Sequence, residues 1–267
     1  MLLQEILLKM RPTRSSSFPS SDKSVERKKK TAVSRKKRSS ILNQINIDHH
    51  APEGWQKIIP SDKLEQLLET GDQIGLHVLV GDIRQSTSLM KESISSKRFA
   101  QITRDFMKAI KSTANTNEGW FDKFTGDGFI IYWIYGDDPN KYVQRILAFC
   151  QALLSYFPEV VNKYRMNSQN FPANVGLSLG VDSGQCTLIE IGDLNIVGPP
   201  VVGASRMVSA AESFEILLNV SIGAVLYKDR KQLATRGIRV FKKKIKTKEY
   251  GEGNGSGQEA YSVQFKK

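Results

Sequence analysis

The sequence predicts an α+β fold, a mixed, mostly antiparallel sheet with helices packed on it, on a ferredoxin-like plan. Three observations predict it. Apolar runs of strand length alternate with two long stretches of helical periodicity, and glycine-bearing turns join strands in pairs. The order reads strand, helix, hairpin, helix, hairpin. Forty per cent hydrophobic residues in a chain of 267 can bury one sizeable core.

Order is expected to begin near Pro52, with "SDKLEQLLETGD" as a short capped helix. "GLHVLVGDI" (75–83) is an apolar strand ending near Asp82. From Ser96 to about Thr116, Phe99, Ile102, Phe106 and Ile110 recur at helical spacing. "GWFDKFT" and "GFIIYWIY" are two strands around a Gly126-Asp127-Gly128 turn, and "KYVQRILAFCQALLSYFPEVVNKY" (141–164) is a long helix with a broad apolar face. "ANVGLSLGVDSG" and "QCTLIEIG" read as a second hairpin. "PPVVGASRMVSAAES" opens on prolines, whose fixed φ suits a helix N-terminus. There follow a strand in "FEILLNV" and a short helix in "SIGAVLYKDR". "IRVFKKKIKTKEYGEGNGSGQEAYSVQF" is a strand, a glycine-rich loop and a last strand.

Charge divides the chain. Residues 1–50 hold 12 Lys/Arg against 4 Asp/Glu, a balance of +8 out of +12. Serine-rich and poor in aromatics, a leader over 1–51 cannot offset its ordering entropy by apolar burial, so disorder is expected there. A single domain over 52–267 follows. The leader suits contact with nucleic acid or an anionic membrane, a targeting signal, or plain solvation. No run of about 18 apolar residues predicts a transmembrane helix. Cys150 and Cys186 lie in apolar patterns and read as reduced, buried thiols, which points to a cytoplasmic protein. His49, His50 and His77 have no metal-ligand spacing.

Two carboxylates carry the functional reading. Asp82 ends the first strand and Asp127 sits at the turn between the next two, so neighbouring strands bring both to one end of the sheet. Paired carboxylates there can hold two Mg²⁺ or Mn²⁺ ions, hard cations that take oxygen ligands and substrate phosphates. Structural roles compete with this: a glycine-flanked aspartate suits a tight hairpin turn, and Asp82 can cap a helix.

Three blocks in order, "VLVGDIRQSTSL", "KFTGDGFIIYW" and "GLSLGVDSGQCTLIEIGDLNIVGPPVVGASRM", resemble those of the class III nucleotidyl cyclases, over about residues 73–265. The resemblance implies a cyclase domain over 52–267. It would be a phosphorus-oxygen lyase making a 3′,5′-cyclic nucleotide and pyrophosphate from a nucleoside triphosphate. It implies Asp82, Asp127 and the backbone carbonyl of Ile83 as metal ligands for two Mn²⁺ or Mg²⁺ ions. Arg206 would stabilise charge on the α-phosphate, and Lys123 and Asn195 would read the base. A lysine of "FKKKIKTK", Lys246 or Lys248, would meet the outer phosphates. It implies a head-to-tail homodimer with composite sites, and a downstream effector that reads the cyclic nucleotide.

Three positions depart from the family pattern. Asn195 replaces an aspartate, Ser86 a frequent phenylalanine, and Val202 an asparagine that meets the ribose. An asparagine amide both donates and accepts, which suits uracil or guanine better than adenine. The departures are compatible with the pyrimidine cyclases of bacterial Pycsar antiphage systems, which this chain resembles as a compact, soluble member with a single catalytic domain, with uridylate ahead of cytidylate. An adenylate or guanylate cyclase, and an inactive cyclase-like binding module, are the alternatives.

Overall fold

The computed structural model describes residues 61–136, 138–191, 193–246 and 257–266. These belong to the second of the two units into which the chain divides, Met1–His49 and His50–Lys267. The basic leader, His49, His50, the start of order near Pro52 and most of the glycine-rich loop lie outside the described residues.

The elements are α1 (Ser61–Thr70), β1 (Gln73–Arg84), α2 (Ser86–Lys91), α3 (Ser96–Thr116), β2 (Trp120–Phe124), β3 (Gly128–Ile134), α4 (Val143–Arg165), β4 (Gly176–Ile191), β5 (Asp193–Val197), α5 (Pro199–Ala210), β6 (Ile216–Leu218), α6 (Val220–Lys228), α7 (Arg230–Thr235), β7 (Ile238–Ile245) and β8 (Gln258–Phe265). The strands form one sheet in the order β2-β3-β1-β4-β6-β8-β7, with β5 paired to β4. Its first four strands, with α3 and α4 as crossovers, are the ferredoxin-like unit expected from the sequence. Pairing is antiparallel except between β4 and β6, which α5 connects.

Alternation along each strand sends side chains to opposite faces. On one face, Leu79 and Ile83 of β1 and Leu177, Leu179 and Val181 of β4 join Phe106 and Ile110 of α3 and Ile146 and Phe157 of α4 in the main core. Residues of α6 and α7 complete this layer. On the other face, Met207 and Ala211 at the end of α5 pack with Leu217, Ile245 and Ala260. Helix α3 starts at Ser95, whose side chain accepts the amide of Arg98 at 3.2 Å and satisfies one of the free amides of the first turn. No helix among the described residues is long and apolar enough to cross a membrane.

One element differs from expectation. Instead of a hairpin turning near Gly184, β4 runs uninterrupted for 16 residues, and the strand that folds back on it, β5, begins at Asp193. The glycines that suggested a turn serve close packing instead. Gly180 and Gly184 face α5, where a Cβ on Gly180 would lie 2.4 Å from the Ala204 carbonyl oxygen and one on Gly184 3.0 Å from Pro200. The helix therefore rests directly on the strand backbone. Pairing of all twelve residues of β1 with β4 then holds the strand straight through Ser183 and Gly184.

Candidate active site

The end of β1 is built by sheet register. Asp82 pairs with Gly128 of β3 on one side and Ser178 of β4 on the other. Gly128 is pressed close: a Cβ there would sit 2.8 Å from the Gly81 carbonyl oxygen and 2.7 Å from Thr125 Oγ1. The reversal before it uses Gly126 at φ +87, a left-handed conformation that glycine adopts without a Cβ clash, and closes with the Thr125 amide donating to the Gly128 carbonyl at 2.9 Å. The turn thus delivers Asp127 beside Asp82. Burial and the negative charge of Asp127 both raise the pKa of Asp82, and Arg84 and the Ile83 amide oppose them. Turn and carboxylate pair are one construction.

The surroundings add two residues that the sequence reading did not assign. Ser86, at the head of α2, donates its hydroxyl to Asp127 Oδ2. Sequence showed only that a small polar residue replaces a large one there. Arg84, two residues after Asp82, donates to the Ser209 carbonyl at 2.9 Å and also to those of Val208 and Ala211. It caps the C-terminus of α5, where unpaired carbonyls favour a cation. The strand that carries Asp82 is thereby tied to the helix that carries Arg206, which is half-buried.

A second cluster lies on β2 and β5. Lys123 Nζ donates to Asn195 Oδ1 at 2.8 Å, so the two expected base-reading residues meet. Asp122 steadies the lysine: its Oδ2 lies 3.6 Å from Lys123 Nζ and accepts the Tyr132 hydroxyl at 3.1 Å. Burial raises the Asp122 pKa against the pull of both partners. A register shift between Phe121 and Lys123 re-aims this part of β2, as bulges do.

Of the basic run, Lys243 is held by Glu215, at 2.8 Å from both carboxylate oxygens, with Ser262 also donating to Oε1 at 2.7 Å. Burial alone would raise the Glu215 pKa, but the lysine, the Glu212 amide and the serine lower it overall. Lys246 is exposed, and Lys248 lies outside the described residues. Val202 is 48% exposed on α5. His77 is buried between Ser183 Oγ and the Lys141 carbonyl, and burial lowers its pKa to about 4. Cys150 and Cys186 are free and buried.

No protein-family model and no curated protein matches the sequence. Solved structures do match. The adenylyl cyclase CyaB from P. aeruginosa is 22% identical with a TM-score of 0.59, over 73% of this chain and 96% of that one. The guanylate cyclase domain of RhGC from Catenaria anguillulae, in complex with GTP, is 18% identical at 0.54, over 73% and 100%. A dimeric guanylyl cyclase domain of the RhoGC fusion protein from Blastocladiella emersonii is 16% identical at 0.54, over 73% and 99%. The fold is that of a class III cyclase domain.

In this cyclase fold, the structure brings Asp82 and Asp127 together with Ile83 and Ser86 between them along the chain, and joins Lys123 to Asn195. Among the described residues no group of three or more His, Cys, Asp or Glu gathers as a metal cage. Two carboxylates alone make an incomplete shell for a hard cation. Such a shell suits Mg²⁺ or Mn²⁺ that takes its remaining ligands from phosphate and water. The charge of Asp127 that disfavours ionisation of Asp82 is what a cation would offset, so the donor set fits the ion.

Proposed function

We propose that the chain is a metal-dependent nucleotidyl cyclase that converts a nucleoside triphosphate to a 3′,5′-cyclic nucleotide and pyrophosphate, with UTP as the preferred substrate. The observation that carries this reading is the apposition of Asp82 and Asp127 at the end of β1 in a cyclase fold. Asp82, Asp127 and the Ile83 carbonyl would hold two Mn²⁺ or Mg²⁺ ions. When bound, such ions activate an attacking hydroxyl and neutralise charge on phosphate and leaving group.

The chain's own residues supply the rest. Ser86 fixes the rotamer of Asp127 by its hydrogen bond. Arg206 places positive charge at the α-phosphate as the 3′-oxygen bonds to phosphorus, the bond to the β-phosphate oxygen breaks, and the hydroxyl proton leaves to solvent. Lys246 and Lys248 are the candidates for the outer phosphates, since Lys243 is committed to Glu215.

Base preference follows from the second cluster. Asn195, whose Oδ1 accepts from Lys123, brings an amide donor to this cluster where the aspartate of the family pattern would bring none. A donor matches the O4 carbonyl of uracil or the O6 carbonyl of guanine and meets the amino groups of adenine and cytosine unfavourably. This supports uridylate over cytidylate, and makes guanylate cyclase the second reading. Phe124, Val197 and Val202, 42%, 53% and 48% exposed, flank the cluster and α5. Apolar exposure of this kind favours a covered surface, in keeping with a head-to-tail homodimer in which one chain's carboxylates meet the other's Arg206. The product would serve as a second messenger for a separate effector, as in antiphage defence.

The test is incubation of the purified full chain and Mn²⁺ with each of the four nucleoside triphosphates, with products read by mass spectrometry. Cyclic UMP as the main product is expected, and Asp127→Ala should abolish it while the fold, checked by circular dichroism, persists. Absence of any cyclic product overturns the enzyme reading, and cyclic AMP alone overturns the base assignment.

A further inference from the structure

A groove of about 880 Å³ opens on the sheet face that carries α3 and α4, bounded by the C-terminal half of α4, the 171–175 segment and the end of β8. Ile83 points into the core on this face and Asp82, by alternation, to the other, so the groove is separate from the carboxylate pair. Its size is that of a small-molecule site.

The lining has one chemistry at the wall and another at the rim. Phe171, Phe214 and Phe265, each partly exposed, line it together with the buried Val161. Among the described residues the charged groups that line it are Arg165 and Lys266, both exposed, and none of the lining residues is Asp or Glu. The Arg165 guanidinium lies 4.9 Å from the centre of the Phe171 ring, which holds its fork over the opening.

The frame is set in advance. Asn174 and Phe214 line the groove, and both are left-handed, at φ 59 and φ 64. Asparagine tolerates that conformation, whereas an aromatic residue adopts it only where its surroundings insist. They do so here. Ser213 Oγ donates to the Asn174 carbonyl, the Phe214 amide donates to the Leu177 carbonyl at 2.8 Å, and the Phe214 ring meets Phe157 edge-on at 6.0 Å. A preformed wall of this kind loses little freedom on binding.

We propose that this groove binds a small amphipathic anion, a carboxylate carried on an aliphatic or aromatic body. The body lies against the three phenylalanines, and the carboxylate meets Lys266 and Arg165, whose planar fork donates two parallel hydrogen bonds to it. With no Asp or Glu among the described lining residues, cations are disfavoured, and the depth of apolar wall disfavours small inorganic anions. The assignment is independent of the cyclase reading.

Isothermal titration of the full chain with decanoate and with decyltrimethylammonium, both kept below micelle formation, tests it. One decanoate per chain is expected, with the cation at least tenfold weaker. Arg165→Glu combined with Lys266→Glu should weaken decanoate at least tenfold, and Ser155→Trp, which fills the groove from an exposed lining position, should block it; melting temperatures verify that each variant is folded. No heat with decanoate, equal binding of the cation, or indifference to both sets of substitutions would overturn the proposal. So would binding to phosphatidylglycerol vesicles without binding to decanoate, which would assign the surface to a bilayer.

Discussion

Asp182→Asn should stabilise the protein at neutral pH and do nothing below pH 4. Asp182 lies under α5, so close that a Cβ on Gly203 would fall 1.7 Å from its Oδ2. Its other oxygen accepts the Ser183 amide at 2.7 Å and the Asn219 side-chain amide. Burial raises its pKa from 3.8 to about 6, against both hydrogen bonds. A carboxyl that is harder to ionise in the folded state contributes stability that is full below the unfolded value and lost as pH rises through the folded one. The rise from 3.8 to about 6 corresponds, at 1.36 kcal/mol per pH unit, to about 3 kcal/mol. Asparagine keeps an acceptor for the same two donors and removes the charge. The difference in unfolding free energy, variant minus wild type, should climb from near zero at pH 4 toward that ceiling by pH 7. His77, whose pKa burial lowers to about 4, pulls the wild-type profile the other way but is common to both proteins and cancels. Urea unfolding at pH 4, 5, 6 and 7 measures the difference. A difference independent of pH would refute the argument, because Asp182 would then not be protonating in that window.

Three further outcomes follow from the site and its surroundings. Ser86→Ala should lower cyclase turnover about 10- to 100-fold, from loss of a hydrogen bond to a charged group worth about 1.5–3 kcal/mol, with Ser86→Thr restoring most of it in steady-state assays. Lys243→Met should cost about 3–5 kcal/mol by stranding the buried Glu215 carboxylate, read as a lower urea midpoint with Mn²⁺ present or absent. Asn195→Asp replaces the amide donor with an acceptor and should move product from cyclic UMP toward cyclic AMP, measured as the ratio of kcat/KM for UTP and ATP.

The ferredoxin-like unit was legible because its signals are local. Helical spacing in α3, apolar runs in β1 and β3 and the Gly126-Asp127-Gly128 turn each need only neighbouring residues to be read. The Asp82–Asp127 pairing was legible too, since a strand end and the following hairpin turn meet whenever β1 and β3 are adjacent. The continuous β4 was not. Glycine signals a turn when its neighbours are solvated and a close contact when a helix lies on it, and the sequence around Gly180 and Gly184 is the same in both cases. Ser86 and Arg84 were missed for a related reason: a serine becomes a partner for Asp127, and an arginine a cap for α5, only through residues 41 or more positions away.

The same long-range contacts change what the arginine helix can do. Gly180 and Gly184 put no side chain of β4 between strand and helix, Gly203 admits the Asp182 carboxylate, and the last carbonyls of the helix are held by Arg84 from the strand of Asp82. A helix seated this closely on β4 and capped from the strand of Asp82 cannot shift without disturbing β1. The position of Arg206 is therefore set by the strand whose end carries Asp82. In the head-to-tail dimer proposed above, each chain would present Arg206 to its partner's carboxylates and its own Asp82 and Asp127 to its partner's arginine, and the Arg84 cap would hold those two presenting surfaces in fixed relation.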